Sequence, residues 1–157
     1  MHTERMKESM NTLVTYFSVG GTTKKIAEEF AAQIGADVFE IVPTEPYTKE
    51  DINYLNPLSR CNKEQIGKKD VPVNKTVADF DQYDTVYIGF PIWYAQAPRV
   101  VYTFCKEYNW NGKKVCAFAT SGGSGIGKTV EKLAPYVEGA ASVDAKLVHN
   151  VDEIKNW

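Results

Sequence analysis

Long apolar runs, histidine, cysteine and net charge are all scarce in this sequence. No stretch reaches the roughly 18 consecutive apolar residues that a membrane-spanning helix needs. The charged opening from Met1 to Ser9 has no apolar stretch behind it of the kind a secretory leader carries. A cytoplasmic protein with no membrane span is therefore expected. The three cysteines, Cys61, Cys105 and Cys116, are odd in number and lack C-x-x-C spacing, which argues against a disulfide framework and a zinc cage. His2 and His149 are too few and too far apart to suggest a metal site, and none is expected. Lys and Arg number 18 against 20 Asp and Glu, and the signs are interspersed, so no nucleic-acid partner is expected.

What is present is enough apolar residue, 43% of 157, to bury one continuous core. Residues 1–10 read as an N-terminal extension and 11–157 as a single domain. Thr12 to Phe17 is short, β-branched and aromatic, and runs into a glycine turn as a buried strand does. From Thr22 the pattern becomes helical: Ile26, Ala27, Phe30, Ala31 and Ile34 share a face, charged residues including Lys24, Lys25, Glu28 and Glu29 fill the solvated one, and Gly35 provides a stop. Further strands are expected over 37–42, 84–90, 114–120 and 145–148. A helix is expected after Pro98, and another carries Ile126, Val130, Leu133 and Ala134 until Pro135 stops it. The last residues, 151–157, read as the opening of a helix that ends early. Alternating strands and helices imply an α/β fold, a doubly wound five-stranded parallel sheet. Residues 43–79, with Pro43, Pro46, Pro57 and Pro72, show no helical period.

In such a sheet, ligands bind beyond the carboxyl ends of the strands, where strand order reverses. The loop after the first strand, Ser18, Val19, Gly20, Gly21, Thr22 and Thr23, combines three hydroxyls and two glycines with the free amides of a helix start. That is the chemistry of a phosphate cradle. A helix start capped by Thr22 or Thr23 explains the same residues. After the third strand come Pro91, Ile92, Trp93 and Tyr94, whose aromatics either stack on a flat ring or cover the edge of the core. After the fourth come Thr120, Ser121, Gly122, Gly123, Ser124 and Gly125, with glycines that let backbone approach a ligand. Ser59, Arg60 and Cys61 are candidates to reach the same crevice from the irregular segment. The run from Gly122 to Thr129 also matches G-x-x-x-x-G-K-[ST]. Nucleotide hydrolysis further requires a metal-holding acid at another strand end. Fewer than about thirty residues follow Thr129, and no apolar strand before it is read as ending in Asp or Glu.

Together, Tyr16-Phe17-Ser18 with Gly21-x-Thr23-Lys24, then Tyr83-Asp84 leading to Gly89-x-Pro91-Ile92-Trp93-Tyr94 and Pro98, then Phe118-x-Thr120-Ser121-Gly122-Gly123-Ser124-Gly125 resemble the flavodoxin family, specifically its short bacterial branch, over 11–157. The resemblance implies strand order 2-1-3-4-5 and a non-covalent FMN. It implies that Ser18 to Thr23 hold the 5′-phosphate and that Pro91 to Tyr94 line the ring, with Trp93 the best stacking candidate. Thr120, Ser121, Gly122, Gly123 and Gly125 would face the pyrimidine end through backbone groups. No catalytic side chain is implied, because the flavin carries the redox chemistry. The chain departs from the family pattern in Gly20, where a threonine is common, in lacking an aromatic in the third loop, and in being nearly neutral. The expected role is electron transfer between redox partner proteins. The alternative is an FMN-dependent oxidoreductase acting between a nicotinamide donor and a quinone-like acceptor.

Overall fold

A computed structural model describes residues 11–53, 55–121, 125–155 and 157. The strands are β1 (Thr12–Tyr16), β2 (Asp37–Glu40), β3 (Thr85–Pro91), β4 (Lys114–Thr120) and β5 (Ser142–Leu147). All pair in parallel in the order β2-β1-β3-β4-β5, which is the expected α/β sheet. The helices are α1 (Thr22–Ile34), α2 (Arg60–Gly67), α3 (Arg99–Lys106), α4 (Thr129–Leu133) and α5 (Val151–Lys155).

Strand alternation sorts the core into two layers. Leu13 of β1, Val86, Ile88 and Phe90 of β3, and Val115, Ala117 and Ala119 of β4 pack with Val100, Val101 and Phe104 of α3. Val14 and Tyr16 of β1 and Phe118 of β4 face the other way, onto Ile26, Ala27, Phe30 and Ala31 of α1 and Ile154 of α5. On this second face Gly89 makes room for a ring: a Cβ there would stand 2.3 Å from the Phe118 ring atoms, and Phe118 is fully buried. Gly89→Ala should therefore cost about 2 kcal/mol of stability through overpacking, read as a lower urea midpoint at unchanged slope.

Several boundaries differ from the sequence reading. β5 starts three residues earlier than expected because it is an edge strand, and Ser142 and Asp144 dilute its apolar signal. β2 stops at Glu40, so a strand upstream of the glycine-lysine motif does end in an acid, although β2 is a largely exposed edge strand. Pro135 does mark the end of the α-helix as expected, since α4 closes at Leu133. It sits at the start of a 3₁₀ turn, Ala134–Val137, which continues from α4, a position where the missing N–H costs nothing. Ile126 precedes α4 and lies outside it.

The largest difference lies in 43–79. Its ends are joined by an antiparallel bridge between Pro43 and Val73, with Thr44 N–H donating to Pro72 O at 2.8 Å and Asn74 N–H to Val42 O at 2.7 Å. Within it stands α2, which the sequence does not announce because its polarity is inverted. Its buried residues are Cys61, Asn62, Glu64 and Gln65, whereas Ile66 is 71% exposed. Hydrophobic periodicity detects only helices that turn an apolar face inward.

Candidate functional site

Strand order reverses beside β1, between the β2 and β3 sides of the sheet. The loops after β1 and β3 diverge there and leave a crevice. Phe17 prolongs the pairing of β1, its N–H donating to Gly89 O at 2.8 Å, and the chain then turns through residues 18–21. Gly21 is the N-cap of α1, left-handed at φ 91°, and its N–H donates to Ser18 Oγ at 3.1 Å. Neither Thr22 nor Thr23 caps the helix, contrary to the capping alternative. No side chain caps it, and no acid lies in the first turn. The first-turn amides of a helix have no acceptor within it, so the positive end of α1 opens onto the crevice. Built Cβ atoms on Gly20 and Gly21 meet nothing within 4 Å, so the space over this loop is open.

Thr23 is buried and has a different partner. Its Oγ1 lies 2.8 Å from Thr120 Oγ1, which ties the start of α1 to the end of β4. Ile92 N–H in turn donates to Thr120 O at 2.9 Å, so the start of α1 and the ends of β3 and β4 are tied together. The chain after β3 makes a tight turn: Trp93 N–H donates to Gln96 O at 2.9 Å, and Gln96 N–H returns to Trp93 O at 3.3 Å. Tyr94 and Ala95, between them, are left-handed at φ 56° and 63°, a conformation that such turns usually assign to glycine or asparagine. The turn is braced from the far side, where Lys128 N–H donates to Ala95 O at 2.7 Å.

The resulting cavity, of about 360 Å³, is lined by Ser18, Val19, Gly20, Thr22 and Thr23 from the first loop. Pro91, Ile92 and Trp93 line it from the second loop, Thr120 and Ser121 from the third, and Ile52 from the irregular segment. None of these lining residues is ionisable. Gly21 shapes the loop without lining the cavity; Tyr94, half exposed, and Gly125 do not line it either. Gly122, Gly123 and Ser124 lie outside the described residues. The Trp93 ring is held edge-on by Phe17 at 5.7 Å and by Tyr47 at 5.3 Å between ring centroids.

The sequence offered no signal for Ile52 or Tyr47, since both lie in a segment without period. Ser59, Arg60 and Cys61 do not line the cavity. Arg60 is engaged elsewhere: its Nε donates to Glu64 Oε2 at 2.7 Å, its Nη1 to Glu45 O at 2.7 Å, and its guanidinium lies 3.9 Å from the Tyr47 ring centre. Tyr47 donates to Glu64 Oε1. Burial first, and then that bond, raise the Tyr47 hydroxyl far above the usual phenol range and keep it a donor. The glycine-lysine motif forms no phosphate loop over its described part. Thr129 is fully buried with its hydroxyl donated to Ile126 O, and α4 has only 5 residues. Among the described residues no group of His, Cys, Asp and Glu could hold a metal, and no helix is long and apolar enough to cross a membrane.

Comparison with known proteins gives the same picture as the fold. A candidate flavoprotein of Bacteroides eggerthii is 35% identical, with a TM-score of 0.86 over 94% of each chain. One of Bacteroides uniformis is 34% identical, also at 0.86, over 95% of this chain and 97% of that one. A flavoprotein of Lactobacillus acidophilus solved in complex with FMN shares the fold at 24% identity, with a TM-score of 0.73 over 94% and 98%. A search of the curated proteins found no match. The family profile described as Flavodoxin matches residues 11–157, and with the strand order and crevice above, the chain belongs to the flavodoxin family.

Proposed function

We propose that this chain binds FMN in the crevice and acts as an electron-transfer protein between redox partner proteins. The observation that carries this reading is the lining itself. An uncapped helix start and two open glycines stand beside a braced tryptophan, with no ionisable side chain among the lining residues. Such a wall binds and orients a ligand but supplies no acid or base, and no base to activate its serine and threonine hydroxyls, so the chemistry belongs to the bound group. The residues fit FMN. The cavity volume lies in the ordinary range for cofactor sites, and the α1 amides with the Ser18 and Thr22 hydroxyls suit a phosphate. Thr23 serves this end by tying it to β4.

Pro91, Ile92 and Trp93 form the apolar wall for the ring, with Ile52 adding to it, and Thr120 and Ser121 lie at the end of β4. FMN, when bound, accepts and releases one or two electrons. The protein's part is to hold it, keep water from the buried side and set its surroundings. A second reading, an oxidoreductase passing electrons from a nicotinamide cofactor to a quinone-like acceptor, is favoured by the net charge of −2, which steers a charged partner protein weakly.

Protein loaded with excess FMN is expected to retain the flavin through desalting. Mixed anaerobically with NADH or NADPH, it is expected to keep its flavin absorbance until a separate reductase protein is supplied. Rapid direct bleaching followed by quinone-dependent turnover would select the oxidoreductase, and an absence of retained flavin would remove both readings.

A further inference from the structure

The inverted helix α2 turns a buried amide toward the second loop. Gln65 is 6% exposed, and its amide is used at both ends. Nε2 donates to Trp93 O at 3.1 Å and to Ala97 O at 3.3 Å, while Oε1 accepts from Arg99 N–H at 2.8 Å. One side chain thus spans the whole loop from the cavity tryptophan to the first turn of α3. The loop needs such a restraint. Tyr94 and Ala95 are consecutive left-handed L-residues, a conformation that persists only where the surroundings impose it. Lys128 N–H grips Ala95 O and Tyr102 donates to Gln96 Oε1 at 2.7 Å, but among the described contacts Gln65 is the one side chain that reaches the Trp93 carbonyl, which otherwise accepts only the turn's own Gln96 N–H. The helix carrying Gln65 is itself anchored, since Glu64 accepts from Tyr47 and Arg60 donates to Glu45 O, and Tyr47 packs on the Trp93 ring.

We infer that Gln65 is a positioning residue, which holds the Trp93 turn in its strained form and so sets the wall that meets the ring of the cofactor. This rests on the FMN reading above for its consequence, although not for the brace itself. The phosphate end of the crevice is built from other residues, so loss of Gln65 should weaken FMN and riboflavin by the same factor.

The test uses Gln65→Met, which keeps the length of the side chain and removes its donors and acceptor. In the flavin-free protein, amide exchange at Trp93 and Gln96 should rise at least about tenfold while the β4 amides stay unchanged. By fluorescence titration, FMN and riboflavin affinities should both fall about tenfold, as expected for lost buried hydrogen bonds. If the variant does not fold, Gln65→Asn, one methylene shorter, takes its place. Unchanged exchange at the turn, or a uniform rise across the sheet that marks a merely structural loss, would overturn the brace. Raised exchange with unchanged flavin affinity would overturn its effect on the cofactor. Failure of the unaltered protein to bind FMN would instead overturn the functional reading and the claimed effect on the cofactor, with exchange at the turn still deciding the brace.

Discussion

Gly21→Glu should lower FMN affinity by at least about a hundredfold while affecting riboflavin far less. Gly21 is the left-handed N-cap of α1, and its Cβ position faces open space, so a side chain there has room and still changes two things. It forces an L-residue into a conformation costing about 1–2 kcal/mol, which reshapes the turn that presents the amides. It also places a carboxylate at the positive end of the helix, where the phosphate of FMN would sit. Hydrogen bonds to a charged group are each worth about 1.5–3 kcal/mol, and losing two of them accounts for the factor. Riboflavin has no phosphate and keeps its ring contacts. Fluorescence titration of both ligands decides the matter: equal losses would count against a phosphate site in this loop.

Gly127→Val should destabilise the fold by about 3 kcal/mol or more. Gly127 is left-handed at φ 59°, and a Cβ there would lie 2.6 Å from Ala95 O and Cβ and 2.8 Å from Ala95 Cα. Two of those three atoms are backbone, so no side-chain rotation relieves the clash. A β-branched residue is also strongly disfavoured at positive φ, and the two costs add to that of displacing the Lys128 N–H to Ala95 O bond. Equilibrium unfolding in urea reads the change directly, and a shift below about 1 kcal/mol would mean that the turn yields easily. Because Ala95 belongs to the Trp93 turn, the variant should also weaken flavin binding. In this it would join Gln65→Met, which loosens the same turn from the opposite side.

The two layers of the core were legible because each strand of the sheet interior carries an apolar residue at nearly every position. Val86, Tyr87, Ile88, Phe90 and Pro91 show this in β3, and the face of α1 repeats at helical spacing. The glycine and hydroxyl loops were legible because free amides, positive φ and close backbone approach each demand particular residue types over a short span. The helix α2 was not, since Asn62, Glu64 and Gln65 turn inward while Leu55, Leu58 and Ile66 remain exposed nearby. Pro135 was legible through its local rule: α4 ends before it, and the chain takes the proline into the start of a 3₁₀ turn.

The sequence by itself determined the sheet, its covering helices and the kinds of loop that end its strands, all of which rest on residues close together in the chain. Only the tertiary structure decided that Thr23 meets Thr120 across 97 residues, that Ile52 lines the crevice, and that Gln65 donates to the Trp93 carbonyl. Each is a single polar or apolar contact between distant segments. Such a contact leaves no period or composition behind it, because its partner is chosen by where the packed elements bring the chain and not by its neighbours in sequence.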